Sequence, residues 1–509
     1  MDKPVRLRFA PSPTGPLHIG GIRTALYNYL FTKKHQGTFI LRVEDTDQGR
    51  YVPGAEEYII NSLKWVGLIP DEGPGFGGDF GPYRQSERKA IYFEHALKLI
   101  DRDEAYYAFD TAADIEALRD ANGGNQKYDY NSRAQMKNSI TMGMDAAKKL
   151  IDSGEQYVIR LKVPDNISVT ILDAIRGLVT FHTSELDDKV LIKSDGMPTY
   201  HMANVVDDYL MKISHVIRGE EWLSSTAHHL LLYKAFGWED DMPIFAHLPL
   251  ILKPTGNGKL SKRDGAQFGF PVFPISWIVD DGVTFSGFKE YGFEPDALLN
   301  FLALLGWNNG TEQEIFSMDE MYHSFTLEKI VKSGARFDFE KGKWFNQQYL
   351  HRIPEEEILK RIIHDFKLMD IELSELESHL IYDLYKDRVV FSKDFCEFGK
   401  VYFEDSIHYD KEFIEKKFKL EQIPALNAVT NIIFELSNWN VTEIEMALKD
   451  FLKTGAIKPG ELFPALRVAI SGIPMGPEVH KMIQLLGQTK FKKKIGQLIT
   501  FVESKTKGV

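Results

Sequence analysis

Cysteine is nearly absent: a single one, Cys396, occurs in 509 residues. One thiol excludes an intrachain disulfide and any zinc site built from several cysteines. Cys396 falls in an apolar-periodic stretch, so packing is its expected role. Long hydrophobic runs are missing too. The most apolar run, residues 298–307, falls well short of the roughly 20 residues a membrane helix needs. No targeting segment precedes the first strand pattern, and the chain has no internal repeat or low-complexity tract, so a soluble, cytoplasmic protein with no membrane partner is expected. Basic charge is in deficit, 61 Lys and Arg against 73 Asp and Glu for a net −12. That balance disfavours a protein coated in basic patches for nucleic acid, although a large enzyme can keep one basic face under an acidic total. What is present is size: with 43% hydrophobic residues the chain can bury several cores, and two or three domains are expected.

The most informative stretch is Arg8-Phe-Ala-Pro-Ser-Pro-Thr-Gly-Pro-Leu-His-Ile-Gly-Gly21. Before and into it, Val5, Leu7 and Phe9 alternate with Arg6 and Arg8, the period of a strand. After it, Ile22, Ala25, Leu26 and Tyr29 recur at helical spacing. The three prolines between them restrict the turn, so it holds its shape without a ligand. Strand, rigid turn and helix open an α/β sheet whose ligands sit at the carboxyl ends of the strands. His18 and Gly20 stand at the start of the helix, where free N–H groups favour phosphate and glycine admits a close ligand. The plain alternative is a Pro-rich surface turn with an exposed histidine; the in-frame position between strand and helix favours the site.

Farther along, residues 38–44 read as a second strand ending in Arg42-Val-Glu-Asp-Thr-Asp47, which puts Glu44 in the same crevice. Residues 71–83 are a glycine-rich loop and 84–101 a helix. From about 106 to 199 the texture changes: helices over 113–119 and 133–152 flank the polar stretch 122–126, with strands at 157–163 and 179–181. An inserted domain is expected there. Tyr200 and Asn204 then share one helical face. A short strand over 213–217 leads into Arg218-Gly-Glu-Glu-Trp222, and another over 245–252 into the mobile, basic loop Lys253-Pro-Thr-Gly-Asn-Gly-Lys-Leu-Ser-Lys-Arg-Asp-Gly265. Beyond about 320 the pattern is helical. One helix spans 442–454, with Thr442 and Glu445 as a capping box and Gly455 as its stop. The charge run Lys490-Phe-Lys-Lys-Lys494 reads equally as a solvated helix face or an RNA contact.

The first stretch resembles the His-Ile-Gly-His signature of class I aminoacyl-tRNA synthetases in its glutamyl form, with Gly21 in place of the last histidine. Lys259-Leu-Ser-Lys-Arg263 resembles the Lys-Met-Ser-Lys-Ser loop of the same class. The resemblance covers the whole chain. The helical tail, with Phe463-Pro-Ala-Leu-Arg467 and residues 472–476, is similar to the bacterial type of the family. It implies a Rossmann-like α/β catalytic domain with an open parallel sheet (1–105 and 200–335, the second half carrying the basic loop and a connecting stem). It also implies an inserted α+β acceptor-stem-binding domain (106–199) and an all-α anticodon-binding domain (336–509). The implied reaction joins glutamate to ATP as glutamyl-adenylate, then passes the glutamyl group to tRNA(Glu). The implied roles are catalysis by His18 and Lys262; ATP binding by His18, Gly20, Lys259, Ser261, Lys262 and Arg263; and glutamate binding by Arg8, Ala10, Ser12, Glu44, Tyr200, Asn204 and Arg218. Mg²⁺ is implied with ATP. No zinc is expected, because Tyr106-Tyr-Ala-Phe109 stands where many relatives carry a Cys-x-Cys pair. A monomer is expected. Competing readings are an enzyme that also charges tRNA(Gln), a small-molecule nucleotidylyltransferase, and a non-catalytic tRNA-binding paralogue.

Overall fold

The computed structural model describes residues 3–121, 127–278 and 282–507; the polar stretch 122–126 lies outside them. The chain divides into two units, Met1–Phe345 and Asn346–Val509. Among the described residues no helix is long and apolar enough to cross a membrane.

In the first unit, strand β1 (Arg6–Phe9) is buried at Leu7, Arg8 and Phe9 alike. Its apolar–basic alternation therefore does not separate core from solvent: a parallel sheet is covered on both faces. Helix α1 (Ile19–Lys34) follows, with Ile22, Ala25, Leu26 and Leu30 buried and Lys33 and Lys34 in its last turn, where cations suit the helix dipole. Strand β2 (Thr38–Leu41) lies parallel to β1 in register Arg6↔Thr38 to Phe9↔Leu41. Beyond its end, Arg42 and Glu44 N–H still bond Phe9 O and Pro11 O on the β1 side, while Val43 bonds the 83–85 segment on the other, Val43 N–H to Tyr83 O and Gln85 N–H to Val43 O.

The segment between the halves of the sheet carries β3 (Ala105–Ala108), β4 (Val158–Leu161), β5 (Ser168–Asp173), β6 (Gly177–His182) and β7 (Val190–Ile192). Strands β3, β4 and β7 form one antiparallel sheet, and β5 and β6 form a hairpin. β3, β5 and β7 lie outside the strands expected at 157–163 and 179–181. The long helix expected over 133–152 is three pieces, Tyr130–Arg133, Ser139–Met142 and Met144–Asp152. Asn138 interrupts it by capping the second piece through its side chain, and Gly143 separates the second and third at φ 82°, a conformation open mainly to glycine.

Strand β8 (His215–Gly219) returns beside β1, and β9 (Ile244–Leu248) lies beside β8. The sheet order is β2-β1-β8-β9, parallel throughout. The chain steps from β1 to one side and later fills the other, so a crevice opens at the carboxyl ends of β1 and β8. The strand expected over 245–252 is broken at Pro249, and Ile251–Leu252 pairs instead with Ala335–Arg336.

The second unit is helical around a core that includes Phe366, Ile381, Leu426, Leu466, Met482 and Leu498. Cys396 is buried beside Met369. The helix near 442 is Val441–Lys453, and Asn440, not Thr442, caps it by accepting from Glu443 N–H. Within the lysine run, Lys494 turns inward and donates to Val401 O at 2.6 Å and Ile470 O at 3.3 Å. Burial lowers its pKa to about 8.

Candidate active site

A cleft of about 640 Å³ occupies the crevice. Its walls include Arg8, Ala10, Ser12, His18, Gly20, Glu44, Tyr200, Asn204, Arg218, Lys259, Ser261 and Lys262. Residues from five separate stretches of sequence thus meet. Arg263 is the exception: it is exposed and forms no part of the wall.

One end of the cleft is a chain of buried charges. Arg8 grips Asp208 with Nε at 3.0 Å and Nη2 at 3.3 Å. Arg42, fully buried, bonds Asp208 at 2.6 Å and Glu44 at 3.1 Å. Glu44 also accepts from Asn204 at 2.9 Å. Burial pushes the Asp208 carboxyl up, but Arg8 and Arg42 outweigh it and hold it below the usual range. At Glu44 burial prevails over Arg42 and Arg8, and its pKa is raised. These two arginines and two carboxylates balance in charge.

Arg218 does not balance. It is 6% exposed, and among the described residues its bonds run to neutral groups. Nε donates to His247 Nε2 at 3.0 Å and Nη1 to the Tyr200 hydroxyl at 2.7 Å. Nη2 donates to Trp222 O at 3.2 Å and Thr226 Oγ1 at 2.8 Å. A guanidinium has five N–H donors, so one, on Nη1, is left. Burial lowers its pKa. Burial also raises the Tyr200 pKa, which keeps the phenol protonated and able to donate. Arg218 therefore offers a ligand one N–H with a phenol O–H beside it, because its other donors are spent on the protein.

The opposite end is built from α1 and the basic segment. His18 is the N-cap of α1, and its Nδ1 accepts from Gly20 N–H at 3.1 Å. Its proton therefore sits on Nε2, which is buried and, among the described residues, meets no acceptor within normal hydrogen-bond geometry. Burial first, then Lys259 and Lys262, lower the His18 pKa to about 4, so the ring is a neutral donor rather than a cation. Gly21, the departure from the His-Ile-Gly-His pattern, packs on Leu17; an added Cβ would run into that side chain.

The basic loop is shorter than expected, since Lys262–Phe268 is a helix. Ser261 caps it, and Asp264 reaches back to Ser261 N–H and Oγ, both at 2.6 Å, and to Lys253 at 2.9 Å. The Ser261 bonds are the chief reason the Asp264 pKa falls to about 2. Lys262 Nζ comes so near Gly15, at φ +127°, that a Cβ there would lie 3.3 Å away. Lys259 pairs with Glu221, another wall residue.

Three comparisons with known proteins bear on this geometry. The family model for tRNA synthetases class I (E and Q), catalytic domain, matches residues 4–344, and an anticodon binding domain model matches 340–499. The chain belongs to the class I tRNA synthetase family. Within the family, it is 50% identical to a glutamate–tRNA ligase of Amoebophilus asiaticus, over 96% of each chain. It is 48% identical to one of Cytophaga hutchinsonii, over 99% of this chain and 98% of the other. A crystal structure of a glutamate tRNA ligase from Elizabethkingia meningosepticum, in complex with its amino acid, superposes with a TM-score of 0.93. That protein is 45% identical, over 97% of this chain and 99% of its own.

Several supporting residues lay outside the sequence reading. Asp208 continues the four-residue spacing of Tyr200 and Asn204, and Asp264 stands at capping-box spacing from Ser261; both were legible by rule. His247, which meets Arg218 from behind, and Asp173, which bonds His247, had no such signal.

Proposed function

We propose that this chain is a glutamate–tRNA ligase: it activates glutamate with ATP, releasing pyrophosphate, and transfers the glutamyl group to tRNA. The observation that carries the choice of amino acid is Arg218. It is a buried cation whose bonds run to neutral groups, beside charges that already cancel. A side-chain carboxylate supplies the missing charge and accepts from both Arg218 Nη1 and Tyr200. A glutamine amide would bring no charge, and its NH₂ would face donors. Arg8, Ala10, Ser12, Glu44 and Asn204 line the same end. Glu44, whose Oε1 is taken by Arg42 and Asn204, offers its second oxygen to the ammonium.

At the other end, ATP is proposed to lie along His18, Gly20, Lys259, Ser261 and Lys262. Adenylation is displacement at phosphorus, so positioning and charge stabilisation do most of the work. His18 Nε2–H donates to a phosphate oxygen, and Lys262 meets the charge that develops on the departing pyrophosphate. Mg²⁺ is proposed to enter on the ATP phosphates; among the described residues no group of three or more His, Cys, Asp or Glu is arranged to hold a metal. For zinc, the stretch in question is strand β3, where Tyr106 bonds Asp188 and no thiolate is offered. The inserted segment is proposed to take the acceptor end of tRNA and the helical unit its anticodon. A nucleotidylyltransferase would leave the 340–499 match to an anticodon binding domain without a purpose.

The deciding experiment is tRNA-supported ATP–pyrophosphate exchange and tRNA charging, with glutamate and glutamine and with both tRNA(Glu) and tRNA(Gln). Glutamate-dependent charging of tRNA(Glu) is expected. Exchange without any charging of tRNA would overturn the proposal.

A further inference from the structure

We propose that Asp173 and His247 are positioning residues for Arg218, forming a buried carboxylate–imidazole–guanidinium chain that sets how Arg218 meets its substrate. The inference rests on Arg218 being the group that receives the glutamate side chain.

Arg218 and His247 are direct partners across β8 and β9. A guanidinium only donates, so His247 Nε2, 3.0 Å from Arg218 Nε, is the lone-pair nitrogen. The ring proton is then on Nδ1, which donates to Asp173 Oδ2 at 2.6 Å. Asp173 Oδ1 is held by the N–H groups of Ile175 at 2.9 Å, Arg176 at 2.8 Å and His247 at 3.3 Å. Both side chains of the Asp173–His247 pair are fully buried. Burial pushes Asp173 up, but the hydrogen bonds from His247, Arg176 and Ile175 prevail, so it stays ionised. Burial lowers the His247 pKa, keeping the ring neutral. Each member of the chain is thus locked in one protonation state and one tautomer.

The chain does more than fasten the β5–β6 hairpin to the sheet. That attachment is already made by Ala174 N–H to Phe245 O at 2.8 Å and Arg176 Nε to His247 O at 3.1 Å. What only the chain does is occupy Arg218 Nε. With Nε and Nη2 both engaged, the plane of the guanidinium is set, and its one remaining N–H has a single direction. In Asp173→Asn, three N–H groups keep the amide oxygen at the Oδ1 place and leave NH₂ facing His247 Nδ1. The ring must then accept there, carry its proton on Nε2, and present a donor to the Arg218 donor.

The test uses the full-length protein in tRNA-supported ATP–pyrophosphate exchange, with folding checked by thermal unfolding. Asp173→Asn is expected to raise the KM for glutamate about tenfold or more, the scale of a lost charge-assisted hydrogen bond, while the KM for ATP stays within about twofold. His247→Gln, which keeps an oxygen acceptor, is expected to lose less than His247→Leu. In an Arg218→Gln background, His247→Leu is expected to add almost nothing, because residues acting through one group are not additive. A folded Asp173→Asn with unchanged glutamate KM overturns the proposal. So does a full additional loss in the double variant, which decides the matter if Asp173→Asn does not fold. If Arg218→Gln alone leaves the glutamate KM unchanged, the assignment of Arg218 fails and this inference with it; if only the Asp173 and His247 variants are silent, Arg218 keeps its role.

Discussion

At the end of the cleft proposed for the amino acid, Arg8, Arg42, Glu44 and Asp208 are buried and tied to one another and Arg218 is tied to neutral groups, whereas at the end proposed for the phosphates Lys262 stands on a seven-residue helix start held by one capping carboxylate. The contrast follows from what each end must do. Discriminating a carboxylate from an amide needs donors that cannot swing away to satisfy either group, and burial with full hydrogen bonding supplies that rigidity. Stabilising a departing pyrophosphate needs charge delivered where it develops, by side chains that remain hydrated until then. On the proposed assignment, a rigid end selects and an adjustable end accelerates.

Substitutions at the two ends should separate these roles. The largest effect is expected for Lys262→Ala, a fall in the kcat of adenylation of about 10²–10³ with little change in the glutamate KM. Near-full exchange activity in that variant would take the basic segment out of the mechanism. Arg218→Gln comes next, a loss of about ten- to a hundred-fold in kcat/KM for glutamate, with glutamine, already a poor substrate, affected far less. Arg218→Lys should fail similarly, since one ammonium cannot reproduce the bonds of a guanidinium. Unaltered glutamate preference in folded Arg218→Gln would erase the distinction between the two ends.

Asp264→Asn tests whether the phosphate end depends on its cap. Loss of a helix cap costs about 1 kcal/mol, so a fall in kcat of about five- to tenfold is expected, with the glutamate KM steady. A rise in glutamate KM of that size would instead couple the two ends. For His18, whose pKa lies at about 4, the neutral donor form is complete above roughly pH 5.5 and is lost only as pH falls through 4. The pH profile of adenylation should therefore show no limb from His18 between pH 6 and 8; a limb near 6.5 that His18→Gln removes would reveal a cationic histidine. The smallest effect is expected for exposed Arg263→Ala, within about twofold of the parent in exchange, and a loss comparable to Lys262→Ala would return Arg263 to the ATP site.

The sequence by itself determined the order of the parts: strand, Pro-rich turn and helix at residues 6–34, the second signature at 259–263, and a helical tail. It also named twelve of the residues on the cleft wall, chiefly through the family resemblance, with Tyr200 and Asn204 set together by helix spacing and Arg8, Glu44 and Arg218 placed at strand ends, where ligands sit. Short-range patterns and the family resemblance carry those conclusions. They could not show that Arg8 is already neutralised by Asp208, 200 positions away, or that Arg218 makes no ion pair among the described residues. They could not show that Asp173 reaches His247 across 74 positions, or that the run expected as one helix over 133–152 breaks at Asn138 and Gly143. Which buried charge is paired, and which waits for a substrate, depends on contacts between distant segments that form only when β1, β8, β9 and the inserted hairpin pack together, and so tertiary structure alone decided it.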